Sequence, residues 1–215
     1  GIFFNSSGDK LYMVGREPST NRVYQYTLSQ PWNVSNASWD GPSSNFSVDA
    51  QDTSPTGVFF NASGNKMYVL GDANDRVYQY TLSQSWNIST ASYDSISFYI
   101  GGQDTSPTGV FFNTSGDKMY VVGLLNDRVY QYTLSSPWNI STATWDGPSS
   151  NLSIGAQDTA PQEMFFNASG DKMYIVGAGG DSIYQYTLSQ PWNISTASYD
   201  NTYLNISAQD EGPTG

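Results

Sequence analysis

The sequence predicts an all-β protein, a β-propeller of four blades with four antiparallel strands in each. Three observations carry this. A segment of about 54 residues recurs four times, each copy breaks into short strand patterns between turn signals, and no stretch shows the 3.6-residue apolar period of a helix. The run Phe59-Phe60-Asn61-Ala62-Ser63-Gly64-Asn65-Lys66-Met67-Tyr68 returns nearly unchanged from Phe3, Phe111 and Phe165. Trp32, Trp86, Trp138 and Trp192 follow one another at spacings of 54, 52 and 54. The repeats run over 1–56, 57–108, 109–162 and 163–215, so a single propeller domain fills the 215 residues.

In the second repeat the strands read in order. Val58-Phe59-Phe60 is short and apolar, and Asn-Ala-Ser-Gly-Asn makes the turn into Lys66–Leu70, which breaks at Gly71. Arg76-Val77-Tyr78-Gln79-Tyr80-Thr81-Leu82 alternates with period two, the clearest strand in the repeat. A tryptophan-containing connection then leads to a weaker fourth strand near Tyr93 to Ile100, and Gln-Asp-Thr-Ser-Pro-Thr-Gly turns into the next repeat. Four strands in 40–50 residues make a propeller blade. Each blade is contiguous in sequence, so the four form a closed four-bladed ring or half of a larger ring, two chains pairing into eight blades. Repeats 1 and 3 share Trp39 or Trp145 followed by Asp-Gly-Pro-Ser-Ser-Asn, whereas repeats 2 and 4 have Tyr93 or Tyr199 followed by Asp, the mark of a duplicated two-blade unit. The chain opens at Gly1 without an initiator Met or a signal-peptide pattern, which predicts a processed product or a window of something longer.

The segments Pro-Thr-Gly-Val-Phe-Phe, Ser-Gly-Asp-Lys-Met-Tyr-Val-Val-Gly, Asp-Arg-Val-Tyr-Gln-Tyr-Thr-Leu-Ser and Trp-Asn-Ile-Ser-Thr-Ala-Ser-Tyr resemble lactonase-type (YVTN/NHL-like) propeller repeats. The resemblance is to versions abundant in aquatic microbial and phage sequences. It covers the whole chain and implies the fold, whereas such repeats serve enzymes, binding modules and structural proteins alike. The metal-site residues of the lactonase-type enzymes have no matching set here.

Composition excludes several chemistries. Without cysteine there is no disulfide or thiolate, and without histidine there is no Ser-His-Asp triad or imidazole ligand. A net charge of −11 disfavours nucleic acid and anionic membranes as partners. The longest apolar run, Met119 to Leu125, is far short of the ~20 residues of a membrane span.

Twelve of the 17 asparagines begin an Asn-X-Ser/Thr sequon: Asn5, Asn33, Asn36, Asn45, Asn61, Asn87, Asn113, Asn139, Asn151, Asn167, Asn193 and Asn205. Composition alone gives about four. The reading is N-glycosylation, with local turn capping as the competing role of the same residues. All twelve are expected in the loops after the first and third strands or on the outer strand, leaving the other end of each blade bare as a contact surface. Loops at that end include Arg16–Asn21, Asp72–Asp75, Leu124–Asp127 and Ala178–Asp181, and the adjacent Leu124 and Leu125 are the expected interface residues.

Asp52, Asp104, Asp158 and Asp210 recur before each innermost strand, where they are expected to accept backbone hydrogen bonds that pin neighbouring blades; cation binding is the alternative. Glu163 replaces the glycine of positions 57 and 109 and with Asp158 suggests a carboxylate pair of hydrolase type. The alternating tyrosines, such as Tyr78/Tyr80, read as an inter-blade packing layer, and the repeated Lys and Arg as local ion-pair partners.

The expected function is therefore that of a non-enzymatic, extracellular or cell- or virion-surface propeller, heavily N-glycosylated, acting as a structural or assembly module such as a fibre or filament subunit. Its expected partners are covalent glycans and either itself or another protein through the sequon-free face. No catalytic residue, metal or cofactor is expected. The alternative is a carbohydrate-binding or adhesion propeller of a microbial or phage surface.

Overall fold

The computed structural model describes residues 1–17 and 20–214. It is all-β, and its four antiparallel sheets are the blades of a β-propeller. Two compact units hold two blades each, one over Gly1–Tyr99 and the other from Ile100 onward.

In the first unit, blade 1 is β1 (Ile2–Phe4), β2 (Lys10–Glu17) and β3 (Thr20–Leu28), with an outer strand broken into β4 (Ala37–Trp39) and β5 (Asn45–Ser47). Blade 2 is β6 (Pro55–Phe60), β7 (Lys66–Gly71), β8 (Arg76–Leu82) and a continuous β9 (Ala91–Tyr99). The second unit repeats the pattern. Blade 3 is β10 (Pro107–Phe112), β11 (Lys118–Gly123), β12 (Arg128–Leu134) and a broken edge of β13 (Ala143–Trp145) and β14 (Asn151–Ser153). Blade 4 is β15 (Pro161–Phe166), β16 (Lys172–Gly177), β17 (Ser182–Leu188) and β18 (Ala197–Asn205).

The alternation of broken and continuous edges follows from sequence. Blades 1 and 3 carry Asp-Gly-Pro, with Gly41 and Gly147 near φ +93°, a conformation that interrupts pairing. Blades 2 and 4 absorb the same irregularity as a two-residue bulge that includes Ser95 (φ 59°) or Asn201 (φ 54°), and the strand continues.

Each blade is braced by its tryptophan. The turn after the first strand needs a glycine at positive φ, as at Gly64 (69°) and Gly116 (73°), and the ring of Trp86 or Trp138 lies where a Cβ would stand. The Trp86 amide donates to the Gly64 carbonyl at 2.9 Å, fixing the connection after the third strand on the turn after the first. The next residue, Asn87, caps a single 3-10 turn by accepting the Ser89 N–H, and that turn buries Ile88. Asn139 and Asn193 cap the matching turns over Ile140 and Ile194.

Adjacent blades within a unit dock through one recurring set. Phe3 of blade 1 lies against Phe60 and Trp86 of blade 2, the Tyr12 hydroxyl donates to the Trp86 carbonyl at 2.7 Å, and Gln25 Oε1 accepts the Ile88 N–H at 3.0 Å. Phe111, Tyr120 and Gln131 of blade 3 repeat this on Phe166, Trp192 and Ile194 of blade 4, with distances of 2.6 and 3.0 Å for the two hydrogen bonds. Tyr80 and Tyr186 are buried in the two cores, as the packing reading of the tyrosines expects. Burial pushes both hydroxyls up.

Replacing Gly116 by alanine is expected to cost about 1–3 kcal/mol, since the Cβ meets both an unfavourable φ and the Trp138 ring. Urea denaturation of the Gly116→Ala variant measures this, and Gly41→Ala, also at positive φ but with open space around the Cβ, separates the ring clash from backbone strain.

Candidate functional site

Three groups of polar side chains stand out: the recurring aspartates, an isolated glutamate, and the turn asparagines. Asp52, Asp104 and Asp158 are all buried. Asp158 Oδ1 accepts the N–H groups of Ala160 (2.7 Å) and Gly179 (3.1 Å), while Oδ2 accepts Gly180 N–H at 2.8 Å and the Tyr184 hydroxyl at 3.2 Å. Asp52 holds Ser54, Ala73 and Asn74 in the same way, and Asp104 holds Ser106, Leu125 and Asn126. Each carboxylate thus ties the segment entering a blade to the loop between that blade's second and third strands. The expected backbone role is seen, but within the blade being entered rather than between neighbours. Gly71, Gly123 and Gly177 are glycine because a Cβ there would overlap the aspartate. Asp210 is exposed.

Glu163 and Asp158 do not share a hydrogen bond among the described residues. Glu163 Oε1 accepts the Met164 N–H at 3.0 Å and packs where a Cβ of Gly109 would lie. Burial, partly countered by that amide, pushes the carboxyl up to about 7. Asp127, which the sequence reading named only as the end of a loop, has a buried Oδ1 without a hydrogen-bond partner among the described residues. Burial raises its pKa, with the charges of Asp158 and Asp104 adding to the effect. The signal was present in the recurrence of Asp75, Asp127 and Asp181 before the third strand, each at positive φ.

The repeated lysines pair locally. Lys10, Lys66, Lys118 and Lys172 sit 2.8–3.2 Å from Asp40, Asp94, Asp146 and Asp200, each of which also accepts from a glutamine at the blade's third strand. Hydrogen bonds from Gln185 and Thr187, with Lys172 beside them, lower Asp200 to about 2.

The sequon asparagines divide into two kinds. Asn5, Asn61 and Asn113 are buried, and with the half-buried Asn167 they direct Nδ2 at 2.7 Å onto Asp9, Asn65, Asp117 and Asp171. Asn33, Asn36, Asn45, Asn87, Asn139, Asn151 and Asn193 are half-exposed, and Asn205 is exposed. Asn205 corrects the expected one-sidedness: it pairs with Ser182 and its Nδ2 donates to Gly180 at 3.4 Å, at the end expected to be bare. Of the expected interface pair, Leu125 is 63% exposed and Leu124 half-buried. The expected bare loop at Arg16–Asn21 includes Pro18 and Ser19, which lie outside the described residues.

Two clefts open in the second unit. One of about 550 Å³ lies between Asn113, Lys118, Asp146, Trp192 and Asn193. The other, about 380 Å³, is lined by Tyr184, Tyr199, Tyr203, Gln157 and Asn205.

No family model and no curated protein matches the chain. Among solved structures it is similar to a candidate 6-phosphogluconolactonase of Bacteroides uniformis, with a TM-score of 0.61 at 12% identity, covering 98% of this chain and 58% of the other. It is likewise similar to the periplasmic gluconolactonase PpgL of Pseudomonas aeruginosa (TM-score 0.54, 12% identity, 95% and 53%). A third likeness is to a chain of the nidogen/laminin complex (0.55, 12%, 89% and 61%). The chain thus spans somewhat more than half of each, and at this identity the likeness shows the fold. The lactonase-type resemblance of the repeats fits these neighbours. They overturn the expectation that the chain is not an enzyme, because proteins of this fold include lactonases.

Two predictions follow from the carboxylates. Asp158→Asn is expected to cost about 1–3 kcal/mol and to speed hydrogen exchange at Gly179 and Gly180 selectively. For pH, Glu163 is raised on folding, so its contribution is present below 4.5 and lost as pH climbs through about 7. Asp200 is lowered, so its contribution is present above 3.8 and lost as pH falls toward 2. Urea midpoints across pH 5–8 should fall in the wild type and fall less in Glu163→Gln.

Proposed function

We propose that this chain is an extracellular, N-glycosylated propeller of a cell or virion surface that works as a structural or assembly module, its repeats being of the YVTN/NHL-like kind. The observation that carries the reading is the second class of sequons. Eight asparagines present their side chains at least partly to solvent, and Asn33, Asn87, Asn139 and Asn193 do so from an identical capped turn. Sugar is assigned to these eight. Asn5, Asn61 and Asn113 serve the turn instead, because they are buried with Nδ2 turned inward, and Asn167 makes the same inward hydrogen bond. Leu125, 63% exposed on the β11–β12 loop, offers an apolar contact for a protein partner. Support for an interaction role also comes from the nidogen/laminin likeness.

The intact mass of protein from its native source, before and after enzymatic glycan removal, tests this. The reading expects a loss of many kilodaltons with Asn→Asp conversion at some or all of the eight sites and none at Asn5, Asn61 or Asn113. A mass of 23.6 kDa before treatment would overturn it.

A second reading rests on Glu163. A carboxyl brought to about 7 is matched to general-base work at neutral pH, and lactonases occur among the fold neighbours. In this reading Glu163 takes a proton from water, the hydroxide adds to a sugar lactone carbonyl, and the C–O bond to the ring oxygen breaks as Glu163 returns that proton to it, giving an alcohol and a carboxylic acid. Titration of acid release from gluconolactone tests it: activity lost in Glu163→Gln supports the reading, and no activity in the wild type ends it.

A further inference from the structure

The two docked blade pairs define a plug and a socket. The plug is a phenylalanine, a tyrosine hydroxyl, a glutamine Oε1 and an apolar residue on the outer strand. In blade 1 these are Phe3, Tyr12, Gln25 and Phe46, whose ring meets Tyr80 edge-on at 5.3 Å; in blade 3 they are Phe111, Tyr120, Gln131 and Leu152. The socket is a tryptophan with its carbonyl and the amide of the apolar residue two positions on. Ile88 and Ile194, at the centre of engaged sockets, are fully buried.

Blade 4 carries the same plug, exposed. Phe165 is 60% and Leu204 61% exposed, and neither the Tyr174 hydroxyl nor Gln185 Oε1 has a hydrogen-bond partner among the described residues. Blade 1 carries the same socket, empty. Its Trp32 is seated over Gly8 and beside Phe4 (5.5 Å), as Trp192 is seated beside Phe166 (5.4 Å), so the socket is already formed. Yet Trp32 is 62% and Val34 63% exposed, and the Val34 N–H is without a hydrogen-bond partner among the described residues. Met13, on the same blade, is also exposed, whereas its counterparts Val69 and Ile175 are buried.

We propose that the blade 4 plug of one molecule docks into the blade 1 socket of a second copy of this chain. The occupant is identified by chemistry already satisfied twice within the molecule: Tyr174 would donate to the Trp32 carbonyl and Gln185 would accept the Val34 N–H, as Tyr120 and Gln131 do at Trp192 and Ile194. The plug and socket residues are uncharged, so the contact is compatible with a chain of net charge −11, and it strengthens as salt screens the repulsion. Because the two surfaces differ, the contact is head-to-tail, and copies add until a ring closes or a filament grows. This contact is separate from the Leu125 loop and does not depend on glycans.

Sedimentation of the unglycosylated protein over a concentration series tests it, with two variants, Leu204→Asp in the plug and Val34→Asp in the socket. Both positions are exposed, and circular dichroism checks that the variants fold. The wild type is expected to exceed 23.6 kDa as concentration rises. Each variant alone should associate at least about tenfold more weakly, whereas an equimolar mixture should form a species of twice the monomer mass, since one intact plug and one intact socket remain. Assembly that survives both variants would overturn this contact and leave another face responsible. A wild type that stays single at every concentration would also overturn it, and would give the socket to further repeats of a longer chain.

Discussion

The interaction on which the structure depends is the seat of each tryptophan over the glycine of its blade's first turn. Nothing but glycine fits, because the backbone is at positive φ and the ring occupies the space a Cβ would take. That contact fixes the connection after the third strand, and with it the capped turn whose apolar residue and carbonyl receive the preceding blade. One local constraint therefore sets both the fold of a blade and the surface by which it is docked. The aspartates do the corresponding work at the opposite end, each gathering N–H groups from the loop between the second and third strands.

Much of this was legible. The repeat gave the strands to within a few residues, and the turn residues marked the positive-φ glycines, because both are local properties of sequence. Burial was not legible. Phe3 and Phe165 stand at the same repeat position, yet one is half-buried on its neighbour and the other exposed, since exposure depends on what lies alongside. The sequon pattern misled for a similar reason: Asn61 and Asn87 carry the same three-residue signal, but the first is buried with its amide turned inward onto Asn65 and the second is a half-exposed cap. Asn205 lies on the outer strand as expected, but its place beside Gly180 depends on the bulge at Asn201, which no sequence period announces.

The polar residues follow a division of labour. Those repeated most faithfully, the aspartates and the Lys–Asp–Gln clusters, spend their hydrogen-bonding capacity on the blade itself. Two residues depart from the repeat, the acidic Glu163 in place of glycine and the apolar Leu125 in place of a small or polar loop residue. The raised carboxyl of Glu163 and the exposed Leu125 stand behind the two proposed readings, and the fold neighbours include lactonases and a chain of the nidogen/laminin complex.

Within each unit a blade is held by its neighbour through an aromatic plug on a tryptophan socket. The most direct measurement is a double-mutant cycle on Phe111 and Trp192, whose rings are stacked at 6.5 Å, using Phe111→Leu and Trp192→Phe. A coupling of about 0.5–1.5 kcal/mol in unfolding free energy is expected. Effects that simply add, to within about 0.3 kcal/mol, would contradict it.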